Sequence, residues 1–149
     1  MEKIAVFVND AAYARRVLQP LVQGTVPTHW IVVACPPALT RHIGRFVSQA
    51  ARRQWRERWS AELFAALEPE LRATPTSEVE RLLAKGPLVT LAARLRRRWP
   101  GLRLLDARQP RLGRVDEPIG GDLPGAASSG WAAPVAATAG LTRVLALAD

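Results

Sequence analysis

Short apolar runs, each followed by polar or turn residues, dominate the pattern of this chain. Both alternating faces of the first two runs are apolar, as in central strands of a parallel sheet that helices cover on both sides. The pattern therefore predicts an α/β fold with polar residues at the carboxyl ends of strands. The runs are residues 4–8 followed by Asn9 and Asp10, residues 30–34 followed by Cys35 and two prolines, and residues 102–105 followed by Asp106.

Helices are predicted between these runs. Asp10 is placed to cap the first helix, which Pro20 should kink or end early. Pro87 is placed at the first position of another helix, directly after Gly86. The predicted elements after the first strand are a helix over about residues 11–23, the strand 30–34, a long crossover helix over about 40–68, an edge strand over about 79–85 that carries Glu80 and Arg81, a helix over 87–99 and the strand 102–105.

The last third of the chain has a different composition. Residues 107–132 contain so many glycines and prolines that we predict a long loop there. A fifth strand over about residues 134–139 and a short helix over 141–148 are predicted to complete the chain. This order of elements is that of a doubly wound α/β fold. We therefore expect one domain, residues 1–149, with a three-layer, mainly parallel, five-stranded sheet of Rossmann-like type.

Four features of this layout are shared with a known superfamily. They are the opening strand 3–10 that ends near an acidic residue, the long second crossover, the edge strand 78–87 that passes through a glycine into a helix, and a closing strand that begins at Pro134. In these respects the chain resembles the universal stress protein superfamily of adenine-nucleotide-binding-like domains. The resemblance implies a Rossmann-like fold and a small regulatory or ligand-binding protein that is not an enzyme.

A glycine motif marks the nucleotide-binding members of that superfamily. In them, G-x-x-G, nine further residues and then G-S or G-T follow the fourth strand and wrap the phosphates. In this chain the glycines do not fall at that spacing, and none in the segment precedes Ser or Thr. The resemblance therefore supports the fold without implying ATP, and no cofactor is predicted. The glycines concerned are Gly113, Gly120, Gly121 and Gly125.

Composition argues against several classes of protein. The single cysteine rules out an intramolecular disulfide framework, and no group of residues has the spacing of a zinc module, so no metal is predicted. The chain shows no basic segment followed by an apolar leader core, and no apolar stretch of membrane-spanning length. We therefore expect a cytoplasmic protein without a membrane partner.

Polar residues that follow the strands define the first candidate site. If the first and fourth strands are neighbours, these residues converge at the switch point where ligands settle in such sheets. Two close carboxylates, Asp10 and Asp106, could raise one another's pKa and serve a small hydrolase or transferase. The structural alternative is that Asp10 caps a helix and Asp106 caps a turn. The candidate residues for a small-molecule ligand are Asn9, Asp10, Cys35, Gly86 and Asp106.

The predicted crossover helix is the second candidate site. The chain carries a formal net charge of +8, mostly from arginine. At about 100° per residue, four arginines fall within about 60° of one another, beside a tryptophan. Guanidinium groups that hold phosphates and an indole that stacks on bases suit RNA or DNA, whereas the structural alternative is a solvated helix face. The candidate nucleic-acid-binding residues are Arg41, Arg45, Arg52, Trp55 and Arg56.

The apolar residues of the same helix raise the question of a homodimer. Trp59, Leu63 and Leu67 fall on the arc that the arginines occupy earlier in the helix. Either the helix breaks or bends near residues 51–56, or its second half packs against something other than the sheet. Together with the apolar closing segment 141–148, this change of face predicts a homodimer.

Overall fold

Four parallel strands and three helices make up the part of the chain that the computed structural model describes, which is residues 1–23, 26–37, 47–73, 76–110 and 118–119. The α/β class and the parallel sheet are confirmed. The predicted fifth strand 134–139 and closing helix 141–148 lie outside the described residues. In chain order the elements are β1 (Glu2–Val8), α1 (Ala11–Val22), β2 (Thr28–Ala34), α2 (Gln49–Leu71), β3 (Glu78–Leu83), α3 (Leu88–Arg98) and β4 (Arg103–Ala107).

The central strands β1 and β2 are buried on both faces. In β1, Val6 and Val8 join the apolar core beneath α1 and α2, whereas Phe7 joins the core beneath α3. In β2, residues 30–34 alternate between the same two cores. The described chain therefore has three layers, and the fully apolar runs are those of strands covered on both sides, as the sequence predicts.

The strand order β3-β2-β1-β4 places the topological switch point between β1 and β4. The chain moves from β1 through β2 to β3 in one direction, and then crosses to the other side of β1 to form β4. The helices of the first two crossovers lie on one face of the sheet and α3 lies on the other. Crossovers of one hand that run in opposite directions must lie on opposite faces, so the arrangement follows from the usual handedness rule.

Helix α1 differs from the prediction at Pro20, and α2 differs at its start, which a cap decides. Helix α1 continues past Pro20 to Val22 and does not end early. The predicted helix over 40–68 is wrong at its start, since Val47 and Ser48 are not helical and α2 begins at Gln49. The Ser48 hydroxyl accepts a hydrogen bond of 3.1 Å from the Ala51 backbone amide, which is the contact of an N-cap.

The apolar stripe of α2 packs within its own chain. Helix α2 is continuous through residues 51–56, so a break there, which was one of the two alternatives, does not occur. Leu63 and Leu67 are 6% and 0% exposed in the core that α2 shares with α1 and the sheet. The change of face that motivates the homodimer prediction is therefore explained without a second chain. The closing segment 141–148, the other motive, lies outside the described residues.

Strand β3 lies at one edge of the described sheet, as predicted from its charged residues. The Glu80 carboxylate lies 3.4 Å from His29 and 3.8 Å from Arg98, and Arg81 pairs with Glu68 of α2. These ion pairs tie the edge strand to its neighbour and to helices on both faces. Among the described helices, none combines the length and the apolar character needed to cross a membrane.

Candidate functional site

The predicted crevice between β1 and β4 is bridged by the side chain of Asn9. Its Oδ1 accepts a hydrogen bond of 2.6 Å from the backbone amide of Gln109, and its Nδ2 donates one of 3.1 Å to the Gln109 carbonyl. The carboxamide thus continues the pairing of the two strands beyond Val8 and Ala107. The neighbouring positions of β1 and β4 confirm the geometric premise of the crevice, and Asn9 spans the two strand ends. A ligand at the crevice stays a prediction.

The two carboxylates of the predicted acid–base pair are engaged separately. Asp10 Oδ2 accepts a hydrogen bond of 2.8 Å from the Tyr13 amide, so Asp10 caps α1 and contributes about 1 kcal/mol to stability. Asp106 lies inside β4, one residue before its end, which corrects the prediction that it follows the strand. These contacts are those of the structural alternative, and joint acid–base use of the two residues stays a prediction.

Asp106 forms a buried ion pair with Arg108. Its two carboxylate oxygens accept hydrogen bonds of 2.9 Å from Nε and Nη2 of Arg108, and Oδ1 also accepts one of 3.1 Å from the Arg108 amide. Asp106 and Arg108 are only 8% and 5% exposed. A bidentate pair of this kind fixes the chain as it leaves β4, because both partners are costly to bury alone.

The pKa of the Tyr13 phenol depends in part on the charge of Asp106. Burial raises the pKa of Tyr13 above its ordinary value, the Asp106 carboxylate raises it further, and Arg16 opposes the shift. The Arg16 guanidinium carbon lies 5.6 Å from the centre of the Tyr13 ring. Helix α1, which carries Tyr13, shares an apolar core with Ala107 of β4, the strand that carries Asp106.

The titration of Tyr13 tests this placement directly, because Tyr13 is the only tyrosine of the chain. We expect its tyrosinate absorbance to appear at higher pH in the native protein than in urea, since the pKa is raised in the folded state. Stability from this group is then full below the unfolded pKa and is lost as pH rises through the folded pKa. Tyr13→Phe should remove that alkaline loss. Equal titration in native and unfolded protein would contradict the placement.

Gly86 and Cys35 follow the other two strands of the described sheet. Gly86 follows β3 with φ +71, a conformation that glycine adopts readily. Because neighbouring strands lie about 4.8 Å apart, β3 is about 10 Å from β1 and about 15 Å from β4, so Gly86 follows the described strand that is farthest from β4. Cys35 extends β2, where its amide donates a hydrogen bond of 2.8 Å to the Val8 carbonyl, and it packs against the core beneath α3.

A cavity of about 360 Å³ lies instead at the carboxyl end of β3, beneath the first turns of α2. We call it the basic cavity, because its lining contains four cationic side chains and one carboxylate, and so carries a net excess of positive charge. Among the described residues, its lining consists of Gln49, Arg52, Arg53, Arg56, Glu57, Leu83 and Lys85.

The basic cavity exists because the first turns of α2 extend past the carboxyl end of β3. Ser60, Leu63, Leu67 and Leu71 form the buried stripe of this helix. Counting back by one helical turn from Ser60 reaches Arg56, and another turn reaches Arg52 and Arg53. The helix face that buries leucines over the strands therefore carries arginines where the strands have ended. These arginines lie at the carboxyl end of β3, and Arg52 is half-buried there.

The predicted nucleic-acid residues are only partly brought together. Arg52 and Arg56 line the basic cavity, whereas Trp55 lies outside its lining, is 37% exposed and stacks on Trp59 with ring centres 6.4 Å apart. Arg41 and Arg45 lie outside the described residues. Because Val47 and Ser48 are not helical, one helical wheel cannot relate that pair to Arg52 and Arg56.

Sequence reasoning missed Arg53, Glu57 and Lys85 as cavity residues. Arg53 and Glu57 carry a usable signal, since they continue the leucine stripe of α2 at helical spacing. The helical pattern of α2 gives no signal for Lys85, because the pairing of β3 with β2 brings Lys85 to the basic cavity.

One fold can host many functions, so the identity of a site must come from its chemistry or from a relative. Within the described residues, no group of three or more His, Cys, Asp or Glu side chains is placed to hold a metal ion. Beyond the Rossmann-like layout, the resemblance to universal stress proteins stays a prediction. A scan against protein-family models gives no match for this chain, and searches of curated proteins and of solved structures give none either.

Proposed function

We propose that this chain is a small, non-catalytic ligand-binding or regulatory protein whose ligand is an anion held in the basic cavity. The observation that carries the proposal is the convergence of Arg52, Arg56 and Lys85 on one cavity, from two separate elements of the fold. Arg53 adds a further guanidinium from the same helix. Cations gathered from α2 and from the end of β3 repel one another, and an anion between them would offset that repulsion.

The position of the basic cavity supports the same proposal. Open α/β sheets bind ligands outside the carboxyl ends of their strands, and the basic cavity lies at that end of β3. Its volume of about 360 Å³ falls within the range of about 300–1,000 Å³ that ligand pockets occupy. Arginine presents its donors in a planar fork that matches carboxylate and phosphate oxygens, so an oxyanion is the favoured ligand.

Inorganic phosphate is the simplest probe of this proposal. Added to the isotope-labelled full chain at constant ionic strength, it should shift the amide resonances of residues 49–57 and of Lys85. Arg56→Glu should lower the phosphate affinity at least about tenfold, because a charged hydrogen-bonding partner is replaced by a repelling one. Arg56 is exposed, so the substitution should leave the fold intact.

Arg58→Glu is the matched control for that variant. It makes the same change of charge on the same helix, but Arg58 is exposed and lies about half a helical turn from Arg56, away from the basic cavity. We expect it to bind phosphate almost as well as the unaltered chain. No phosphate-dependent shift at the cavity residues, or equal loss in both variants, would overturn the proposal.

A nucleic acid is the second candidate ligand, and the exposure of Trp55 beside the arginines favours it. A single-stranded oligonucleotide should then bind with an affinity whose logarithm falls with the logarithm of salt concentration by about 0.7 per phosphate contacted. Trp55→Ala should weaken the binding by about 1–3 kcal/mol if a base stacks on this indole. Binding that is absent, or insensitive to salt and to Trp55, would reject this candidate.

A further inference from the structure

The side chains of the basic cavity fall into two rows along α2. Arg52 and Arg56 form one row, and Gln49, Arg53 and Glu57 form the other, each with the spacing of one helical turn. The first row is entirely cationic. The second row combines an amide, a guanidinium and a carboxylate. A ligand that contacts both rows therefore meets only cations on one side and mixed polar groups on the other.

Glu57 is the informative member of the second row. A carboxylate is acceptor-only when ionised, so it repels an anion but accepts hydrogen bonds from hydroxyl groups. Gln49 can both donate to a hydroxyl and accept from one. A ligand that is only an anion would gain nothing from Glu57, whereas a ligand with hydroxyl groups beside its anionic end would use it.

We infer that the ligand is a small hydroxylated phosphate ester, such as a sugar phosphate or polyol phosphate; this rests on the proposed anion-binding function. The phosphate contacts Arg52, Arg56 and Lys85, and the hydroxyl groups contact Glu57 and Gln49. A phosphate monoester carries about 1.5–2 negative charges at neutral pH, which matches the cationic excess of the lining better than a single carboxylate does.

The rest of the lining supports a polar organic part. Leu83 is the only apolar side chain among the described residues that line the basic cavity. A large apolar group would therefore find little to pack against, since binding of apolar surface requires apolar walls. The cavity volume of about 360 Å³ lies near the lower end of the range of ligand pockets, which suits a small phosphorylated molecule.

Calorimetric titration of the full chain with four probes tests the inference: ribose 5-phosphate, inorganic phosphate, ribose and a single-stranded oligonucleotide. We expect ribose 5-phosphate to bind about tenfold more tightly than inorganic phosphate, which corresponds to about 1.4 kcal/mol. Ribose without its phosphate should not bind measurably. The oligonucleotide should bind more weakly than ribose 5-phosphate at physiological salt.

Glu57→Ala should change the ratio of the two phosphate affinities. Inorganic phosphate should bind more tightly, because a like charge is removed from the lining, whereas ribose 5-phosphate should lose its advantage over inorganic phosphate. Glu62→Ala is the control, since it removes an exposed carboxylate of α2 that does not line the basic cavity. It should leave the affinity ratio of the two probes unchanged.

Each outcome of these titrations decides a separate point. Equal affinity for ribose 5-phosphate and inorganic phosphate, with both lost in Arg56→Glu, would overturn the inferred ligand class and leave the anion-binding function standing. Tighter binding of the oligonucleotide, or binding of ribose alone, would also overturn that class. If neither ribose 5-phosphate nor inorganic phosphate binds, the proposed function itself is overturned.

Discussion

Asp106→Ala is expected to lower the free energy of unfolding by about 3–5 kcal/mol, because it removes the carboxylate that holds Nε and Nη2 of the buried Arg108 guanidinium. Three hydrogen bonds join the two residues, and both lie almost fully inside the protein. Removal of one member of a buried pair is more costly than removal of one member of an exposed pair, since the remaining charge has little access to water. Urea unfolding of the variant and the unaltered chain measures the difference.

A double variant separates this ion pair from simple loss of packing. Replacement of both residues together, as Asp106→Leu with Arg108→Leu, should cost less than Asp106→Ala alone, because no buried charge remains. A cost for Asp106→Ala below about 1 kcal/mol, which is typical of an exposed pair, would contradict the buried pairing.

The same variant distinguishes the two candidate sites. β4 and β3 lie at opposite edges of the described sheet, about 15 Å apart at the usual strand spacing. Any Asp106 variant that remains folded should therefore bind phosphate in the basic cavity with nearly unchanged affinity. A selective loss of phosphate binding without loss of stability would instead return the functional role to the crevice between β1 and β4.

Much of the fold is predictable because local patterns specify it. Two central strands are visible as runs that are apolar on both faces, and Asp10 is visible as a cap before a helical stripe. The edge position of β3 follows from Glu80 and Arg81, which a central strand would have to bury. The start of α2 is not predicted, because the Ser48 cap competes with an arginine-rich helical pattern that extends on both sides of it.

The basic cavity is less predictable, because it depends on where the sheet ends relative to a helix. A helical wheel shows that arginines and leucines share one arc of α2, but it cannot show whether a strand lies beneath each turn. Leu67 has strands beneath it, whereas Arg52 lies where β3 has already ended. Lys85 follows β3, and its position depends on the pairing of β3 with β2. The contact of Asn9 at the predicted crevice is hard to predict for a similar reason, since it reaches a backbone one hundred residues away.

Leu67→Ala is expected to lower the free energy of unfolding by about 2–5 kcal/mol, through lost burial and the cavity left in the core. Leu67 is 0% exposed and packs between the sheet and α1, so the surrounding side chains can collapse only partly. Val89→Ala is the control, because Val89 is 54% exposed on α3 and its truncation should change stability by no more than about 0.5 kcal/mol. Equal effects of the two substitutions would contradict the observed packing of α2.

The protein-concentration dependence of Leu67→Ala decides whether the leucine stripe is also an interface. If the stripe packs only within one chain, the loss of stability should be the same at low and high protein concentration, since no association is linked to folding. If Leu67 instead joined two copies, the unaltered chain would gain stability with concentration and the variant would lose that gain. Because the leucines that would form such an interface are buried against the chain's own strands, we expect the concentration-independent result, and any dimer must then use another surface.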